Sequence, residues 1–300
     1  MNHYGLGETY CIRPSNGLFY HPMERPKIGH ILYKLDKLLD RFVDGQESPR
    51  FDACRTFLWD GERKILKPIK RPVRINPDEL IGIEPIKKEV FRNTKNFLDG
   101  RRANNVLLWG ERGTGKSSLL KSLLTVFDGT PLRMVQIYKH DILTIQGLYD
   151  VIAGSKPYRF ILFIDDLSFE ESQTDYKEMK IIMDGGLEEI PENVLFYATS
   201  NRKHLVPTRF SDNDEDDIRS SDTVEEKVSL VDRFGLRIGF YHFSQDTYLE
   251  IVASYAGKYG VRMGRERLDE LAIRWATGTG GRNGRIAEQF VRTLEGDGAR

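Results

Sequence analysis

The chain has only two cysteines, Cys11 and Cys54, so it cannot build a disulfide framework, and no Cys/His pair has the spacing of a zinc site. It has no run of 18 apolar residues, which excludes an obvious membrane-spanning helix. The opening residues lack a basic stretch followed by an apolar one, so no secretory signal is expected. Net charge is missing as well. Lys plus Arg and Asp plus Glu each number 45, so no global field draws the chain to nucleic acid or anionic lipid, and any such contact has to be a local patch. These absences lead to the expectation of a soluble protein of the reducing cytoplasm, without a membrane partner. What is there suits that expectation: 39% hydrophobic residues for a sizeable core, 30% charged residues, and 300 residues in all, enough for two or three domains.

Three textures divide the chain. Residues 1–73 hold one amphipathic pattern, in which Ile28, Ile31, Leu32, Leu35, Leu38, Leu39 and Phe42 recur at helical spacing. A Pro- and Lys-rich stretch over 64–79, with Pro68, Pro72 and Pro77, reads as a linker, because prolines at that density withhold hydrogen bonds from helix and sheet. Residues 74–243 alternate helical stretches with short apolar runs at 106–109, 132–137, 160–164 and 194–198, and a fifth candidate at 236–243. Runs without polar alternation are strands buried on both faces, the mark of a parallel sheet wrapped by helices. From 244 to 300 the strands stop, and 245–258, 265–276 and 284–294 read as helices of a small separate domain.

The strongest local signal is Gly110-Glu111-Arg112-Gly113-Thr114-Gly115-Lys116-Ser117, which satisfies G-x-x-x-x-G-K-[ST] at every fixed position. It follows an apolar strand and opens an apolar helix beginning at Ser117-Ser118, the setting the motif requires. Glycines let backbone N–H groups turn toward phosphates, and the helix N-terminus adds partial positive charge. Lys116 is then the candidate for the β- and γ-phosphates, and the Ser117 hydroxyl for Mg²⁺. A second element is the run 159–164, which ends in Asp165-Asp166. A carboxylate at a strand tip facing a phosphate loop is where Mg²⁺ needs a partner, which makes Asp165 the metal candidate. Asp166 is the candidate for orienting or deprotonating the attacking water.

These motifs resemble the AAA+ ATPase superfamily, and more closely a bacterial family of AAA+ ATPases described as a domain of unknown function. The resemblance covers roughly residues 74–294. Its motifs are most similar to those of the Holliday-junction branch-migration motor and the bacterial replication initiator. It implies an α/β P-loop core with a parallel sheet, a helical C-terminal lid and a helical N-terminal region. In the family, a polar residue after the strand that ends at Ala198 contacts the attacking water or γ-phosphate, which implies Asn201; taken by itself, an Asn there is an ordinary turn residue. Val231-Asp232-Arg233-Phe234-Gly235 resembles the segment carrying an arginine finger that enters a neighbouring subunit, although Arg233 has nearby acids to pair with. The stretch around Gly284-Arg285-Ile286 resembles the sensor 2 helix of the lid, implying that Arg285 reaches the γ-phosphate; the plain alternative is a solvated basic turn. Leu80, Ile81 and Gly82 resemble the segment that packs against adenine, and a core packing segment would look the same.

The implied activity is Mg²⁺-dependent hydrolysis of ATP to ADP and phosphate by a homo-oligomer acting on an unidentified macromolecular partner. One departure stands against fast turnover: many AAA+ motors have Asp-Glu where this chain has Asp165-Asp166, although the replication initiator has two aspartates. A slow nucleotide-gated binding module is therefore the alternative expectation, with Glu170 as a stand-in base that no spacing argument places. The acidic run 211–217 lacks the glycine and glutamate of an EF-hand loop and reads as a solvated insertion. The basic stretch Arg63, Lys64, Lys67, Lys70, Arg71, Arg74 contains no acid; it reads equally as a solvated linker or as a contact to nucleic-acid phosphates.

Overall fold

The structure, a computed structural model, describes residues 49–169, 175–185, 189–201 and 230–296. The helix expected within 28–42, the stand-in acid Glu170 and the acidic run 211–217 lie outside the described residues.

Seven strands form one sheet: β1 (Thr56–Asp60), β2 (Ile65–Pro68), β3 (Val106–Gly110), β4 (Leu132–Gln136), β5 (Arg159–Ile164), β6 (Val194–Ser200) and β7 (Leu236–Phe240). Their spatial order is β2-β1-β4-β5-β6-β3-β7, and every pairing is parallel except that of β1 with β2. Successive side chains of a strand point to opposite faces, and the core divides accordingly. Phe160, Leu162 and Ile164 of β5, with Phe196 and Ala198 of β6, pack on α3 (Ile145–Ile152) and α4 (Asp175–Asp184). Ile161 and Phe163, with Leu195 and Tyr197, pack on α1 (Glu84–Leu98) and α2 (Lys116–Val126). A strand covered on both faces has no polar side to show, which is why these runs carry no alternation. The all-parallel core is the α/β architecture the sequence led us to expect.

The first two strands correct the linker reading. β1 and β2 form an antiparallel hairpin that extends the sheet by pairing Thr56–Leu58 beside Met134–Gln136 of β4. Trp59 and Phe57 are almost completely buried, and the Trp59 indole N–H donates to Thr144 Oγ1 at 2.8 Å. Proline was the misleading residue. Pro68 closes the edge strand β2, where its missing N–H leaves no ladder bond unmade. The sheet thus begins well before residue 74, and of the expected linker only 69–76 runs without regular structure.

Three helices, α5 (Gln245–Tyr259), α6 (Arg265–Thr279) and α7 (Gly284–Gly296), follow the sheet and own a separate core, with Tyr248, Val252, Ala272, Ala287 and Val291 at its centre. Their ends are signalled locally. Ser244 caps α5 by accepting the Thr247 N–H at 3.1 Å, and Gly260 and Gly280 end α5 and α6 in the left-handed conformation. Among the described residues no helix is long and apolar enough to cross a membrane.

Candidate nucleotide site

The loop between β3 and α2 is shaped by three left-handed glycines, Gly110, Gly113 and Gly115, with φ of +121°, +76° and +97°. Gly110 also has no room for a side chain: a Cβ would lie 2.0 Å from the Phe240 carbonyl oxygen, to which the Glu111 N–H donates at 3.0 Å. Strand β7 can close on the loop only because that residue is glycine. Gly115 leads into α2 without a side-chain cap, so the first N–H groups of the helix keep their donor capacity for an anion.

Lys116 is nearly buried at 6% exposure, and its Nζ donates to the carbonyls of Gly110 at 2.8 Å and Glu111 at 2.6 Å. Burial pushes its pKa down, against the opposing pull of the Asp166, Glu111 and Asp165 carboxylates. The ammonium is thus gathered under the loop by groups that a phosphate would replace.

The tip of β5 supplies the acids. Asp165 Oδ1 accepts from Ser117 Oγ at 2.5 Å and from Thr199 Oγ1 at 2.7 Å, and Lys121 Nζ stands 3.7 Å from its other oxygen. Asp166 turns into the left-handed region, with φ of +55°, and its carboxylate accepts from Asn201 Nδ2 at 2.6 Å. The two acids therefore face different partners. A hydroxyl and a carboxylate oxygen in contact form a hard, oxygen-only pair that suits Mg²⁺ completed by phosphate and water. Among the described residues no group of three or more His, Cys, Asp and Glu could hold a metal ion by itself.

The lid reaches the same place. The Gly284 N–H donates to the Gly113 carbonyl at 2.9 Å, and Asn283 Oδ1 caps α7 by accepting the Ile286 N–H at 3.0 Å. Between loop, β5, β6 and lid lies a cleft of about 600 Å³, large enough for a nucleoside triphosphate. It is lined by Arg112 through Ser118, Asp165, Asp166, Asn201, Arg285, Leu80 and Ile81, all candidates from the sequence. Glu79 on one side of the cleft pairs with Lys258 of the lid at 2.5 Å.

Some candidates stand elsewhere. Gly110 and Glu111 shape the loop from behind without lining the cleft. Gly82, with φ of +81°, is turned against Thr247 of α5 and does not line the cleft; Ile83 does. Arg233 is not among the lining residues either. Its guanidinium pairs with Asp184 at the end of α4, Nη2 to Oδ2 at 2.9 Å and Nε to Oδ1 more closely, while the neighbouring Asp232 pairs with Arg237. Sequence reasoning missed Thr199, Phe243, Ile251, Tyr255 and Glu288, which also line the cleft. Ile251 and Tyr255 among them sit on a helix face that reads only as core. Thr199 carried a usable signal, a polar side chain one residue before the end of the fully buried strand β6 and beside the acids.

A glycine-built phosphate loop after the parallel strand β3, an acidic tip on the nearby strand β5 and a three-helix lid over the cleft define a P-loop NTPase fold of the AAA+ type. Within that class, the chain belongs to the family described as "Protein of unknown function (DUF815)", whose model matches residues 52–298. In structure it is similar to the Holliday junction branch migration motor RuvB of Thermotoga maritima, with a TM-score of 0.50 and 17% identity over 74% of this chain. Two point variants of that motor match with the same TM-score at 16% identity, over 72% of this chain and 62% of theirs. The chain spans 64% of the length of the motor itself, and the likeness is one of fold. No curated protein matches the sequence.

Proposed function

We propose that the chain is a Mg²⁺-dependent ATP-binding and ATP-hydrolysing AAA+ protein of the cytoplasm, assembled as a homo-oligomer. It would couple nucleotide state to remodelling or loading of a macromolecular partner, with nucleic acid one candidate class. The observation carrying this reading is the convergence on one cleft of Lys116, the Ser117–Asp165 pair at 2.5 Å, Asp166 held by Asn201, and Arg285 from the lid. ATP would supply the transferable phosphoryl group and Mg²⁺ would neutralise its charge.

The chain's own residues then divide the work. Lys116 leaves its loop carbonyls for the β- and γ-phosphates, and the uncapped start of α2 binds phosphate oxygens. Leu80, Ile81 and Ile83 form an apolar wall for the base. Asp166 orients the attacking water and takes its proton, and Asn201 keeps that carboxylate aimed. Arg285 reports phosphate occupancy to the lid. Arg233 acts in trans, stabilising charge at the site of a neighbouring subunit.

Titration calorimetry with ATP, with and without Mg²⁺, alongside phosphate release, tests the reading directly. The expected result is Mg²⁺-enhanced ATP binding and measurable release, both lost in Lys116→Ala. Unchanged nucleotide affinity in that variant would remove the assignment of the loop. The second reading, a slow nucleotide-gated switch, is favoured by Asp166 standing where many AAA+ motors carry glutamate. Tight binding with turnover that no DNA and no rise in protein concentration accelerates would select it.

A further inference from the structure

We infer that Thr199 is a positioning residue for both acids of the site, acting through its hydroxyl; the inference rests on the hydrolytic reading above. Thr199 is 2% exposed and lies next to the end of β6, its backbone paired beside Leu108 of β3. It brackets the β5 tip with two groups. Its carbonyl accepts the Leu167 N–H at 2.7 Å, and its Oγ1 accepts the Asp166 N–H at 2.9 Å. The same hydroxyl spends its proton on Asp165 Oδ1 at 2.7 Å. One side chain therefore fixes the metal candidate's carboxylate and the backbone of the base candidate together.

That backbone needs fixing. Asp166 sits at φ +55°, a conformation that L-residues adopt at a cost. The ladder between β5 and β6 has its last pair at Ile164 and Ala198, so the turn at 165–167 has no regular strand pairing to hold it. With the Asp166 N–H captured by Thr199, the turn directs the Asp166 carboxylate to Asn201 and leaves Asp165 beside Ser117. A hydroxyl is required for this, since it donates and accepts at once. Valine has the same shape and can do neither.

The experiment compares Thr199→Val, Thr199→Ala and Thr199→Ser with the parent. Three readouts are taken: steady-state turnover, the Mg²⁺ concentration needed for tight ATP binding, and amide hydrogen exchange at Asp166 without nucleotide. Valine and alanine should each lower kcat about ten- to a hundredfold, the size of a lost hydrogen bond to a charged group. They should also raise the Mg²⁺ requirement and speed exchange at Asp166, with Mg²⁺-free ATP affinity unchanged. Serine should restore all three. Parent values in Thr199→Val or Thr199→Ala overturn the inference, and so does a serine variant as impaired as the valine, which would make the methyl group the agent. If valine does not fold, alanine and serine still decide between hydroxyl and packing. A parent without turnover would sink the hydrolytic reading alone, because Mg²⁺ requirement and Asp166 exchange still report on the hydroxyl.

Discussion

Truncating Arg233 should separate the ion pair seen in the structure from the role in trans proposed above. In the isolated chain the guanidinium forks onto Asp184, with side chains 34% and 40% exposed. A pair this open to water contributes on the order of 0.2–1 kcal/mol to stability. Arg233→Ala should therefore unfold within a few degrees of the parent. If Arg233 instead completes a neighbour's site, its loss should slow turnover by roughly 10³–10⁵, equivalent to about 4–7 kcal/mol of barrier. ATP affinity should hardly move, since charge at that position develops in the transition state. The assay is phosphate release over a wide range of protein concentration, with Arg233→Ala and Lys116→Ala measured alone and mixed. Mixing should recover activity, each variant supplying what the other lacks, and specific activity of the parent should rise until assembly saturates. Constant specific activity from a species that stays monomeric with ATP would refute the argument, and Arg233 would then be the Asp184 ion pair and nothing more.

Lys116→Ala should abolish or severely weaken ATP binding in calorimetry, and because the ammonium is buried on two carbonyls it should also lower stability by about 1–3 kcal/mol, read by urea unfolding without nucleotide. Gly113→Ala should shift the lid, because the new Cβ would lie 2.5 Å from Asn283 Oδ1 at a residue already in the left-handed region. We expect a loss of about 1–2 kcal/mol and weaker nucleotide binding; a variant with parent Tm would show that the Gly284–Gly113 contact is not maintained in solution.

Much of this arrangement was legible in the chain. The phosphate loop, the five parallel strands from residue 106 onward and the three lid helices follow from local patterns, because each depends on residues adjacent in sequence. The hairpin of β1 and β2 was not legible, since Pro68 argues against a strand unless it is known to lie at the sheet edge, and that is a tertiary fact. Leu80 and Ile81, expected beside a base, do line the cleft, whereas Gly82 faces Thr247, a choice made by lid packing. The ion pair of Arg233 with Asp184 joins residues far apart in the chain, and nothing in the local acids, Asp232 included, announces it. Thr199 could be seen as polar, but its two partners depend on how β6 lies beside β5.

If Asp166 is the base proposed above, Asp166→Glu decides whether its short carboxylate limits turnover. Reach alone argues that glutamate, longer by one bond of about 1.5 Å, should serve better. The geometry argues the other way. Asp166 occupies a left-handed turn, which aspartate tolerates better than most residues. Its carboxylate already meets Asn201 at 2.6 Å, and a longer side chain on the same backbone would carry the oxygens past that amide. Asn201 would lose its acceptor and the turn would lose a residue suited to it, together about 1–2 kcal/mol. We therefore expect Asp166→Glu to turn over more slowly than the parent, with unchanged Mg²⁺-ATP affinity and a slightly lower Tm. A faster Asp166→Glu enzyme would show that reach limits the rate, and that this backbone can accommodate the residue many AAA+ motors use.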